Sequence, residues 1–172
     1  MDLQRTLTYI LFCFFLLSCK KKNDNENGNI EVIVNIVIKN DNDIILYYKD
    51  GSNEWFVDEK TVWVGVKGSE NIQQAIFKIN SNILPNDFRL DIGRNYFKGK
   101  ETIQIKKFVL KYYDKSLVIP EDKFNLFFKG NEYVTYDEVT KTYILDKNKD
   151  GSYDPFFETT MEFYPELLKL TE

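Results

Sequence analysis

Residues Thr102–Tyr113 read Thr-Ile-Gln-Ile-Lys-Lys-Phe-Val-Leu-Lys-Tyr-Tyr, and the register of this one segment decides the fold. Side chains alternate between the two faces of a strand, so Ile103 and Ile105 share a face. Phe108, Leu110 and Tyr112 fall on the other face unless a residue is inserted. The spacing therefore predicts a β-bulge at Lys106-Lys107, where one extra residue resets the alternation.

The same period of two extends outward from this segment. Ile30 to Lys39 is rich in Val and Ile and apolar on both faces, which predicts a central strand. Asn40–Asp43 reads as a turn, Ile44–Lys49 as a second strand, and Asp50-Gly51 as a tight turn. In Thr61–Lys67, Val62, Val64 and Val66 point one way, while Thr61, Trp63, Gly65 and Lys67 point the other. Ala75, Phe77 and Ile79 share a face, although Ile72–Ile79 also admits a helix. Phe88, Leu90 and Ile92 alternate with Arg89, Asp91 and Gly93. Further strands are expected at Leu117–Ile119, Phe124–Phe128, Tyr133–Tyr136, Thr142–Leu145 and Phe156–Phe163. Pro165 opens a short C-terminal helix, Glu166–Leu170. Short strands at near-regular spacing, with turn clusters between them, give an all-β fold: a two-sheet β-sandwich of the jelly-roll kind.

The N-terminal end has a different character. Tyr9–Leu17 is apolar apart from Cys13, and it follows Arg5 and the terminal amine. A membrane-spanning helix needs about 20 apolar residues, so the run is too short to span and fits the apolar core of a signal peptide. It ends in Leu16-Leu17-Ser18-Cys19, which resembles the lipobox of bacterial lipoproteins. That resemblance implies diacylglycerol on the Cys19 sulfur, cleavage just before Cys19, and often a third acyl chain on the freed amine. Two or three chains anchor stably where one binds only marginally. Lys20, rather than Asp, after the cysteine resembles lipoproteins not kept in the inner membrane. An outer-membrane location follows as an expectation, with the face left open.

The expected organisation is thus a signal peptide over 1–18, a lipidated Cys19 with a tether over 19–29, and one sandwich domain over 30–172. The tether, Lys20–Asn29, is charged and Asn-rich with no apolar residue, so it buries nothing and reads as solvated linker. Its three lysines also suit anionic head groups, at about 1 kcal/mol per charge near such a surface.

Composition narrows the chemistry. Losing Asp2 and Arg5 with the leader leaves the net charge at −4, so no basic stripe marks a nucleic-acid partner. Cys13 leaves with the leader and Cys19 carries lipid, so stability must come from burial without a disulfide. The chain has no histidine, which excludes Ser-His-Asp and Cys-His machinery and His-ligated zinc.

From Phe77 to Ile119 the order Phe-Lys-Ile, Phe-Arg-Leu-Asp-Ile-Gly, Ile-Gln-Ile-Lys-Lys-Phe-Val-Leu-Lys-Tyr-Tyr, Leu-Val-Ile resembles the second half of galactose-binding-like jelly rolls. Those domains are common as carbohydrate-binding modules and as accessory domains of envelope proteins.

Two candidate sites stand out. Asp146-Lys147-Asn148-Lys149-Asp150-Gly151-Ser152-Tyr153-Asp154 matches the opening of a calcium loop, with oxygen donors on Asp146, Asn148, Asp150 and Asp154. Phe157 stands where a bidentate Glu is expected and Glu158 comes one place late, so a plain polar turn is the alternative. The second is aromatic. Trp63 lies opposite three valines, so its indole faces outward if they face the core. An exposed flat ring beside polar groups is how sugar-binding surfaces stack pyranose rings. Trp55, Tyr96 and Phe97 in expected loops, and Arg89 with Asp91 on one polar strand face, extend the candidate ligand surface. A core or ion-pair role is the alternative for each. Carboxylate pairs such as Asp58/Glu59, Glu121/Asp122 and Glu132/Asp137 exist, but nothing sets any pair at the separation that glycoside hydrolysis requires. The expectation is a non-catalytic glycan-binding lipoprotein. A structural or assembly lipoprotein docking an envelope protein is second, and a carboxylate hydrolase third.

Overall fold

The computed structural model describes residues 30–81, 83–93, 100–147 and 151–172. Among these the chain forms β1 (Ile30–Ile38), β2 (Asn42–Lys49), β3 (Thr61–Val66), β4 (Ser69–Ile79), β5 (Asp87–Ile92) and β6 (Glu101–Tyr112). There follow β7 (Lys115–Pro120), helix α1 (Phe124–Phe127), β8 (Phe128–Gly130), β9 (Val134–Asp137), β10 (Thr142–Leu145), β11 (Phe156–Thr159) and helix α2 (Phe163–Leu168). No helix among the described residues is long and apolar enough to cross a membrane.

The strands make two antiparallel sheets. One runs β4-β1-β6-β10-β9, with β7 also on β6; the other runs β3-β2-β5-β11-β8. Compared position by position, these orders set each strand opposite a neighbour in sequence: β4 over β3, β1 over β2, β6 over β5. The short corners at 39–41 and 67–68 leave the chain little else to do. The all-β, two-sheet sandwich is as expected, and β1 is central in its sheet, flanked by β4 and β6.

The bulge falls at the expected place. Asn35 of β1 pairs with Lys107 and Ile36 with Ile105, so Lys106 is the extra residue. On its two sides Ile103 and Ile105, then Phe108 and Leu110, all reach the core. Phe108 is at the centre of that core, its ring 4.8 Å from Phe128, 6.1 Å from Phe163 and 6.2 Å from Phe88. Offset and edge-on contacts of this kind add about 0.5–1.5 kcal/mol each beyond area burial.

Three expectations are corrected. Phe124–Phe128 is not a strand: Phe124–Phe127 is helical and only Phe128 begins β8. Alternation would have buried Leu126, which is 53% exposed. A helical turn instead brings Phe124 and Phe128, four residues apart, to the same side, where their rings stack at 4.6 Å. The strand expected over Phe156–Phe163 ends at Thr159, and the C-terminal helix starts at Phe163, so Pro165 lies in its first turn, where no N–H is missed. Asp50-Gly51 does not close a two-residue hairpin; it begins the connection 50–60. Gly51 takes a positive φ of 83° there, and the Asp50 carboxylate binds Lys60 and Ser52, which holds its pKa down to about 2.

The bulge yields a comparative prediction. Deleting Lys106 keeps every core residue of β6 on its face, whereas deleting Val109 slides one side of the alternation and turns Phe108 or Leu110 outward. Urea unfolding should show a cooperative transition for the first deletion and none for the second. Phe108→Ala should cost about 3–5 kcal/mol in the same assay.

Candidate functional site

Because Phe88, Leu90 and Ile92 of β5 fill the core, Arg89 and Asp91 must stand on the outer face of the second sheet. Register aligns them with the other outward side chains. Trp63 of β3 is opposite Ile45 of β2, Ile45 opposite Asp91, and Asp91 opposite Phe156 of β11. The next row is Thr61, Tyr47, Arg89 and Glu158, with Lys129 of β8 beyond. Trp63 is 45% exposed, while Ile45, though on the outer face, is buried. The face therefore has an apolar floor between an indole and an ion pair.

Arg89 is held from several sides. Its Nε and Nη2 donate to the two Asp91 oxygens at 2.7 and 2.8 Å, and Nη2 lies 3.6 Å from Asp154. The guanidinium carbon is 3.8 Å from the Phe156 ring centroid and 5.4 Å from that of Tyr47. Burial pulls the guanidinium pKa down, but the hydrogen bonds and charge of Asp91 outweigh it, so Arg89 stays charged. Burial pushes the Asp91 carboxyl up, Arg89 pulls it down, and Asp154 and Glu158 push it up again. The Tyr47 hydroxyl donates to Asp58 at 3.4 Å.

The structure thus brings Trp63, Arg89 and Asp91 together on one face, and Asp154 joins them there. Trp55 is 78% exposed in the connection 50–60 beside Phe56, whose ring lies 6.4 Å from Tyr47 and 4.2 Å from the Lys49 ammonium. Tyr96, Phe97 and Cys19 lie outside the described residues, as do Asn148 and Asp150 of the expected calcium loop. The described ends of that loop turn to different cations. Asp146 is 3.1 Å from Lys100 and accepts the Lys147 N–H, while Asp154 faces Arg89. Among the described residues no three acidic or thiol side chains gather as metal ligands. Within the acid pairs, Glu121 binds Lys106 at 2.9 Å, and Asp137 accepts the N–H groups of Val139 and Thr140.

The expected site omitted Tyr47, Ile45, Phe156 and Glu158. Alternation marks Tyr47 as outward, but only strand pairing sets it beside Arg89. Also missed is a buried polar corner where β6 starts. Glu101 is enclosed, receiving Asn40 Nδ2 at 3.3 Å and Asn42 Nδ2 at 3.1 Å. Gly93, at a positive φ of 85°, makes room for it, since a Cβ there would come 2.7 Å from Asn42 Oδ1.

No protein-family model, curated protein or solved structure matches this chain. The face must be read from its own chemistry.

Burial raises the Glu101 carboxyl above its ordinary range, and the two amides only partly offset this. The folded protein therefore holds this proton more tightly than the unfolded chain does. The stability it contributes is complete below the ordinary glutamate value and is lost as pH rises through the folded value. Glu101→Gln should flatten that part of a stability–pH profile measured by urea unfolding. It should stay within about 1 kcal/mol of the parent at neutral pH, since Asn42 can turn its amide to pair with the new side chain. A loss several times larger would show that the buried charge itself is needed.

Proposed function

We propose that this protein is a lipid-anchored envelope lipoprotein whose sandwich binds a glycan, without catalysis, on the outer face of the β3-β2-β5-β11-β8 sheet. The observation that carries the reading is the row Trp63–Ile45–Asp91–Phe156. Neighbouring strands lie about 4.8 Å apart, so Trp63 and Asp91 are about 10 Å from each other across the sheet. That span suits one or two sugar rings. A pyranose has apolar C–H faces that stack on an indole and hydroxyls that hydrogen-bond to a carboxylate. Bonds to charged groups contribute about 1.5–3 kcal/mol, more than neutral ones. The absence of histidine from the chain supports a binding rather than a catalytic role. The resemblance of residues 77–119 to galactose-binding-like jelly rolls supports the same reading.

The anchor rests on Leu16-Leu17-Ser18-Cys19. Metabolic labelling with a fatty acid should tag the protein and leave Cys19→Ala unlabelled. On the binding face, Trp63→Ala should weaken binding to the best ligand of a soluble-polysaccharide panel about tenfold, as expected for losing one aromatic stack. An unchanged affinity, measured by calorimetry, removes Trp63 from the site.

A second reading has its own observation. On the outer face of the other sheet, Ile76, Ile33, Val109 and Val118 stand in one row across four strands, with Ile76 40% and Val118 52% exposed. Polar rows flank it: Lys78, Glu31, Lys111 and Ser116 on one side, and Gln74, Asn35, Lys107 and Pro120 on the other. An apolar band with a polar rim favours an envelope protein as partner. Under this reading Val118→Lys abolishes co-purification of that partner and leaves glycan binding untouched.

A further inference from the structure

The charge on the outer face of the second sheet selects among glycans, an inference that rests on the glycan reading above. Among the described residues Arg89 is the cation that borders the Trp63–Ile45–Asp91–Phe156 row, and Asp91 occupies its Nε and Nη2. Asp154 lies against the same guanidinium, and Glu158 is directly opposite it in the strand register. Asp43 of β2 adds a further carboxylate on this face, opposite Gly65 and two residues from Ile45. Lys129 stands beyond Glu158 at the outer strand, and Lys49 is already paired with Asp87 at 2.7 Å. Two aromatic rings shield the guanidinium as well, Phe156 at 3.8 Å and Tyr47 at 5.4 Å. An incoming anion thus meets a partnered arginine and several carboxylates.

We infer that the site takes uncharged sugars and rejects sugar acids, with Asp154 and Glu158 as the residues that set this preference. Asp91 lies deeper and supplies hydrogen-bond acceptance and the anchor for Arg89. Asp154 is mostly exposed, so its contribution is electrostatic repulsion and is screened by salt.

The experiment is a binding panel of neutral polysaccharides, each matched with its own derivative oxidised to a carboxylate at the primary alcohol. It uses the mature chain, residues 19–172 with Cys19→Ser. At low ionic strength the neutral form of each bound polymer should win by about fivefold, the range of one or two exposed like-charge contacts. Raising the salt should narrow the gap, and so should Asp154→Asn combined with Glu158→Gln. Trp63→Ala should weaken both forms alike. Equal or tighter binding of the oxidised polymers to the parent overturns the sugar-class assignment and leaves the glycan face standing. A gap that survives Asp154→Asn/Glu158→Gln overturns the roles given to those two residues. Failure to bind any polymer of either kind overturns the glycan reading itself, and this inference with it.

Discussion

Phe108 reaches the centre of the core only because a β-bulge takes Lys106 out of the alternation of β6. Without it, the strand would have to choose between burying Ile103 and Ile105 and burying Phe108 and Leu110. With it, one strand of twelve residues delivers four side chains to the same layer and pairs with β1, β7 and β10 along its length. Phe108 in turn touches rings from β5, β8 and α2, so both sheets and the C-terminal helix meet on a single side chain. No disulfide contributes among the described residues, which contain no cysteine. Burial of this aromatic centre is what the fold has to hold it together.

The candidate site follows from the same alternation. The core side chains of β2, β3, β5 and β11 fix the strand register, and with it the backbone positions from which the outward row projects. Such placement matters for a sugar ligand, whose ring contacts are individually weak and gain most from groups already in position. The Arg89–Asp91 pair is half sunk into this face and stacked on Phe156, a geometry that orders the pair before any ligand arrives. Trp63, less covered, supplies the open surface.

Much of this was legible in the chain because alternation is a local signal. The bulge and the outward position of Trp63 follow from counting by two, and the central place of β1 from its being apolar on both faces. Phe124, Leu126 and Phe128 show where counting fails: three apolar residues at period two also place the first and last on one side of a helix. Packing of those two rings against each other decided the matter, and that contact involves the third dimension. The Asp50-Gly51 pair carries a turn signal, yet Lys60 draws Asp50 into a longer connection. The neighbours of Arg89 depend on which strands pair and in what register, which no local pattern encodes. Glu101 is the sharpest case, since a lone Glu at a strand start reads as surface until the corner residues Asn40, Asn42 and Gly93 close over it.

The chain has two tryptophans, Trp55 and Trp63, and this permits a direct test of where the ligand sits. In Trp55→Phe, all indole emission comes from Trp63 on the outer sheet face. Fluorescence titration of that variant with the polysaccharide that binds best should give a saturable blue shift, with a midpoint matching the affinity measured by calorimetry. Binding that saturates in the calorimeter while the Trp63 emission stays unchanged would place the ligand elsewhere and contradict the account.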